Sequence, residues 1–276
     1  MTYQTIMVHM KLQHSNTGLL KVVSEIADRH GSRIIGFAAC QPIPIVYCDV
    51  PMTPMLMDED HNEIVREMGL AEAEFRSTFQ GKPDKIEWRT SIGLEPTANF
   101  VALNARSADL IITSAASFDP NDTARRESPE MIVMQVGRPV LIVPREAADL
   151  KLDRVTIAWK DTRETRRAVA DAIPLLKTAT HVNIVHLAPE RDRQSAIESM
   201  NDVAFWLSQH GVIANVIFSP LTAGDDAYQL DACLKEHKTD VVVAGAYGHS
   251  RLREWVLGGV TRDLTLHAEY CALLSH

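Results

Sequence analysis

Apolar residues along the chain fall into short unbroken runs, and between these runs they recur every three or four positions. Thr5, Ile6, Met7 and Val8 form the first run. Further runs follow at residues 33–39, 109–113 and 139–143, and residues 85–91 also read as a strand. Runs without polar alternation suit strands covered on both faces, as in a parallel sheet. Leu19, Leu20, Val23, Ile26 and Ala27 keep helical spacing, and Gly31 follows as a stop. Helices are also predicted over 58–80 and 95–106, and a further one starts at Ser128 and Pro129 as cap and first position. Residues 41–57 break the pattern with prolines at 42, 44, 51 and 54. Such proline density predicts a long ordered loop or flap. Met52, Met55 and Met57 in this region read as core filling or cover for an inter-domain seam, with core filling preferred.

The second half runs through the same order. Strands are expected at 155–159, 181–187, 212–218, 240–244 and 271–275, with helices at 163–176, 191–210 and 226–237. Asp109 and Asp240 are 131 positions apart, as are Leu103 and Leu234, and Val140 and Cys271. Matching Ile6 to Ile157 gives 151, and the excess falls in the proline- and methionine-rich stretch. The chain therefore reads as two copies of one α/β unit, at 1–146 and 152–276. Each copy is expected to be a five-stranded, mainly parallel sheet with helices on both faces, a Rossmann-like arrangement.

Composition narrows the classes of function. A net charge of −8 argues against a general nucleic-acid binder. The first residues lack a signal-peptide pattern, and no run approaches the length of a membrane span. Cys40, Cys48, Cys233 and Cys271 show no metal-ligand spacing, and Cys233 and Cys271 read as buried free thiols. A reducing cytoplasm is the expected compartment. Asp58, Asp60 and His61 suggest a metal cluster on paper, but an acidic helix start explains them more simply, and no metal is expected. There is no G-x-S-x-G, no H-E-x-x-H and no Walker loop, so no catalytic residue is assigned. A slow ATPase is the most catalysis the chain would support, since no general base is evident.

The candidate chemistry lies after the strand at Val241, Val242 and Val243. Glycines stand at 245, 248, 258 and 259, and Thr261 opens a weakly helical stretch. A strand, a glycine-rich loop and a helix start can hold phosphate on backbone N–H groups. The spacing Gly245, two residues, Gly248, nine residues, Gly258 resembles the universal stress protein (UspA) family, in tandem form, across nearly the whole chain. Gly259 stands where that family carries Ser or Thr. The resemblance implies an adenine-nucleotide α-hydrolase-like fold and a role in stress survival. It also implies ATP, with magnesium, as the cofactor of some members.

In the ATP-binding members the first strand ends in an Asp beside the adenine. That position here is Lys160, with Asp161 next to it, and His9 in the first half. The resemblance places Ala158 and Trp159 beside the adenine, although Trp159 also suits the core. Phosphate contacts would come from Gly245, Gly248, Gly258, Gly259 and Val260, with Thr261 helping. His249, Ser250, Arg251 and Arg253 would add donors, or simply form a solvated loop. In the first half the offset of 131 puts Ser114, Ser117, Glu127 and Ser128 where the second half has glycine. Lost backbone access and a carboxylate both oppose an anion there, so that half is expected to be structural or degenerate.

Two functions follow. One is a stress regulator that binds an adenine nucleotide in the second copy. The other is a nucleotide-independent stress protein that binds unknown protein partners or a small ligand. The last strands of the two halves are expected to pair within the chain as a pseudo-dimer, and a further homodimer stays open.

Overall fold

The computed structural model describes residues 2–42, 54–116, 129–145, 151–221, 226–246, 264 and 269–276. These fall into two compact units, residues 3–138 and residues 139–276, the latter joined by residues 1–2.

In the first unit the order is β1 (Thr5–His9), α1 (Thr17–His30), β2 (Arg33–Cys40), α2 (Pro54–Thr78), β3 (Ile86–Ile92), α3 (Thr97–Asn104), β4 (Leu110–Ser114) and α4 (Pro129–Gln135). The strands lie in the order β3-β2-β1-β4 and are all parallel. Helix α1 ends as expected, with Gly31 at a φ of 67° and the Ser32 N–H returning to the Ala27 carbonyl. Gly36 in β2 leaves room for aromatic packing: a Cβ there would sit 2.6 Å from the Trp88 ring. Phe75 fills the space between Phe79 and Trp88, at centroid distances of 5.2 and 5.5 Å.

Residues 54–57 differ from the expected loop. Helix α2 begins at Pro54, because proline suits a first helical turn and lacks only a donor that would be unpaired anyway. Met55, Leu56 and Met57 are exposed there, so the two methionines do not fill a core. Met52 and Cys48 lie outside the described residues.

The second unit holds β5 (Val140–Val143), β6 (Arg154–Ala158), α5 (Arg163–Leu176), β7 (His181–Ala188), α6 (Arg193–Gln209), β8 (Ala214–Pro220), α7 (Asp226–Glu236), β9 (Val241–Gly245) and β10 (Cys271–Ser275). Its strand order is β5-β10-β9-β6-β7-β8. All pairs are parallel except β5 with β10, which run antiparallel with Leu273 opposite Leu141. The two last strands thus pair within the chain. Helix α5 packs on β9 and β10, and α6 on β7 and β8. The fold is α/β and mainly parallel, as the alternation of runs predicts.

Strand register revises one count. Val8 pairs with Ile112 and Ile157 pairs with Val243, so Val8 and Ile157 correspond, 149 positions apart rather than 151. A shift of two keeps every side chain on its own face, so apolar patterning alone does not fix it. Position Lys160 therefore corresponds to Lys11, not His9.

Cys40, Cys233 and Cys271 are buried free thiols. Burial, with the Asp240 charge adding to it, pushes the Cys271 thiol far above its ordinary range. No helix among the described residues is long and apolar enough to cross a membrane.

Thr162 caps α5 from its extended conformation, its Oγ1 accepting the Thr165 N–H. Thr162→Ala should lower stability by about 1 kcal/mol, read as a reduced denaturant midpoint with an unchanged slope.

Candidate functional site

The chain leaves β6 towards β7 on one side, while β9 lies on the other. This is a topological switch point, and ligands of open α/β sheets bind outside the carboxyl ends of the strands at such a point. The residues gathered there are Ala158 to Asp161 after β6, His186 near the end of β7, and Gly245 with Ala246 after β9.

Gly245 is held against the first turn of α5. A Cβ on it would lie 2.4 Å from the Thr165 backbone nitrogen and 2.7 Å from the Glu164 carbonyl carbon. Only a residue without a side chain allows that approach. The start of α5 is already filled by the chain's own groups. Thr162 takes the Thr165 N–H, and the Glu164 carboxylate is buried beside the Arg163 guanidinium. Burial pushes the Glu164 carboxyl up, yet hydrogen bonds from Arg163, its own backbone and Thr162, with the Arg163 charge, hold it below the ordinary range. An anion would gain nothing at this helix start.

Trp159 is buried, and its indole N–H donates to Ser199 Oγ of α6 at 3.2 Å. Its ring is therefore part of the packing between β6 and α6. Lys160 and Asp161 are exposed. Asp161 accepts from Arg166 Nε and Nη2 at 2.9 and 2.6 Å. Sequence reasoning missed His186. Strand pairing places it beside Trp159, and its Nδ1 is buried with no hydrogen-bond partner among the described residues. Burial lowers its pKa, the Lys160 charge adds to this, and Asp161 opposes both. In the sequence His186 shows only as a polar residue between Val185 and Leu187. Gly248, His249, Ser250, Arg251, Arg253, Gly258, Gly259, Val260 and Thr261 lie outside the described residues.

The matching mouth of the first unit is closed by its own side chain. Lys11 is buried, and its Nζ donates to the Ala115 carbonyl across the β1–β4 switch point at 2.6 Å. Asn16 fixes the Lys11 backbone, accepting from its N–H at 2.9 Å and donating to its carbonyl at 3.0 Å. In the second unit Ala246, 131 positions on from Ala115, has its carbonyl 3.0 Å from His276 Nδ1 instead. Among the described residues no three metal-binding side chains converge, and Asp58, Asp60 and His61 lie in the exposed first turns of α2.

No protein-family model and no curated protein sequence matches the chain. Solved structures do. A universal stress protein from Archaeoglobus fulgidus aligns at a TM-score of 0.72 and 13% identity, over 98% of this chain and 95% of that one. The chain has the universal stress protein fold. A Pseudomonas aeruginosa protein assigned to the universal stress proteins aligns at 0.61 and 15% identity, over 99% of this chain and 93% of that chain. Another from the same organism, of unknown function, aligns at 0.57 and 15%, over 99% and 92%. Coverage of both halves makes the shared architecture a property of the whole chain.

Gly245→Ala should destabilise the protein by about 1–3 kcal/mol, because the methyl group meets backbone that cannot turn aside. Thermal or denaturant unfolding of the variant measures this. An unchanged midpoint would mean that α5 can retreat from β9.

Proposed function

We propose that the chain is a tandem universal stress protein, built of copies at 1–146 and 152–276, that acts in a stress response. Its nucleotide site lies at the β6–β9 switch point, where an adenine nucleotide binds. The observation that carries this reading is the contrast between the two mouths. Lys11 bridges the first, whereas the corresponding Lys160 is exposed at the second.

The described residues suit the base and ribose end of such a ligand better than the phosphates. His186 Nδ1 supplies a buried polar atom that lacks a partner among the described residues. Exposed Lys160 supplies a mobile positive charge. The start of α5 does not receive phosphate, since Thr162 and Glu164 occupy it. Phosphate binding then falls to backbone groups of Gly248 and Gly258 to Thr261, and Gly245 serves to bring α5 onto β9. Magnesium, if carried, would come with the phosphates. Binding, rather than turnover, is the activity this assigns, and occupancy would alter contacts with partners.

The test is calorimetric titration of nucleotide-stripped protein with ATP and magnesium, beside a Gly248→Glu variant. Dissociation in the micromolar range, about −8 kcal/mol, with loss in the variant is the expected result. No heat from either folded protein would reject the nucleotide site. It would direct attention to the exposed Met55, Leu56 and Met57 run on α2 as a partner surface.

A further inference from the structure

Between α5 and α6 lies a groove of about 380 Å³, within the size range of small-molecule sites. We propose that it binds an organic cation, an ammonium ion carried on an apolar or aromatic body. The groove shares Trp159 and Asp161 with the β6–β9 mouth, but the inference does not need a nucleotide to bind there.

Its walls are apolar. Trp159, Val169 of α5, and Val203 and Trp206 of α6 supply this apolar part of the lining. Both indoles are held in place without a ligand. Trp159 is anchored by its hydrogen bond to Ser199, and Trp206 packs against the His210 ring at a centroid distance of 4.4 Å. Walls that are already ordered lose little freedom when a ligand arrives.

The polar lining selects the charge. It consists of Asp161, Asp202, Arg166 and Ser199. Arg166 is committed to Asp161 through two nitrogens. The Ser199 hydroxyl both accepts from Trp159 and donates to the Ala196 carbonyl at 3.0 Å, so it has little left to offer. Asp202 has no hydrogen bond or ion pair among the described residues, and the lining carries one negative charge in excess. A carboxylate and two indoles lining one groove favour a cation twice, by direct attraction and by the ring quadrupole. An anion, including a nucleotide phosphate, would be repelled by the same lining.

The probe is benzyltrimethylammonium, with phenylacetate as an anion of similar size. Calorimetry gives the affinity, and the indole N–H resonance of Trp159, assigned through Trp159→Phe, places the ligand. The expected result is saturable binding that moves this resonance, is weakened about fivefold or more by Asp202→Asn, as loss of one charge contact implies, and is absent for phenylacetate. Asp202 is exposed, so the variant should fold normally. Gly248→Glu should bind the probe as the parent does, which separates failure here from failure of the nucleotide site. Any of three results overturns the proposal: no saturation up to about 10 mM, the weak limit of specific binding; equal affinity of Asp202→Asn; or equal binding of phenylacetate.

Discussion

The second unit depends on one close contact, backbone against backbone, between Gly245 at the end of β9 and the first turn of α5. It fixes how near α5 can lie to the sheet, and therefore where Thr162, Glu164 and Arg166 stand. The same helix then meets β10 and leaves its outer side to form a groove with α6. A side chain at Gly245 would move all of these together, since packed interiors have little slack. The glycine thus has a packing role that is complete without any ligand.

The two mouths differ in one respect: the first is plugged by its own lysine, and the second leaves the corresponding lysine exposed. Lys11 and Lys160 occupy the same place in the strand register, yet they behave differently. Asn16 ties down the chain after β1 so that the Lys11 ammonium reaches Ala115. After β6 the chain is instead capped into α5 by Thr162, with Asp161 drawn outwards by Arg166. Burying an ammonium is costly unless it is paired, so a lysine so placed is committed to its structural contact.

Much of the fold was legible because buried parallel strands are written as unbroken apolar runs. Residues 163–176 and 271–275 were bounded correctly from pattern alone. The start of α2 was not, because four prolines were read as a single loop signal although the last of them opens a helix. The register error at Ile6 had another cause: Ile6, Met7 and Val8 are all apolar and buried, so matching Ile157 to Ile6 or to Val8 keeps an apolar residue in the same place. His186 was missed for want of a motif, since its position becomes informative only once β7 lies beside β6. The chemistry of Trp159 was half legible, as an aromatic at a strand end, but its bond to Ser199 joins residues 40 positions apart.

Cys271 gives the second unit a built-in reporter. It opens β10, the strand gripped by β9 on one side and β5 on the other, and its thiol is buried and held in the unreactive protonated form. A thiol must become exposed and lose its proton before it reacts with an alkylating reagent. Modification of Cys271 therefore waits for β10 to leave the sheet, and its rate times the opening of the seam where the last strands of the two sequence repeats meet.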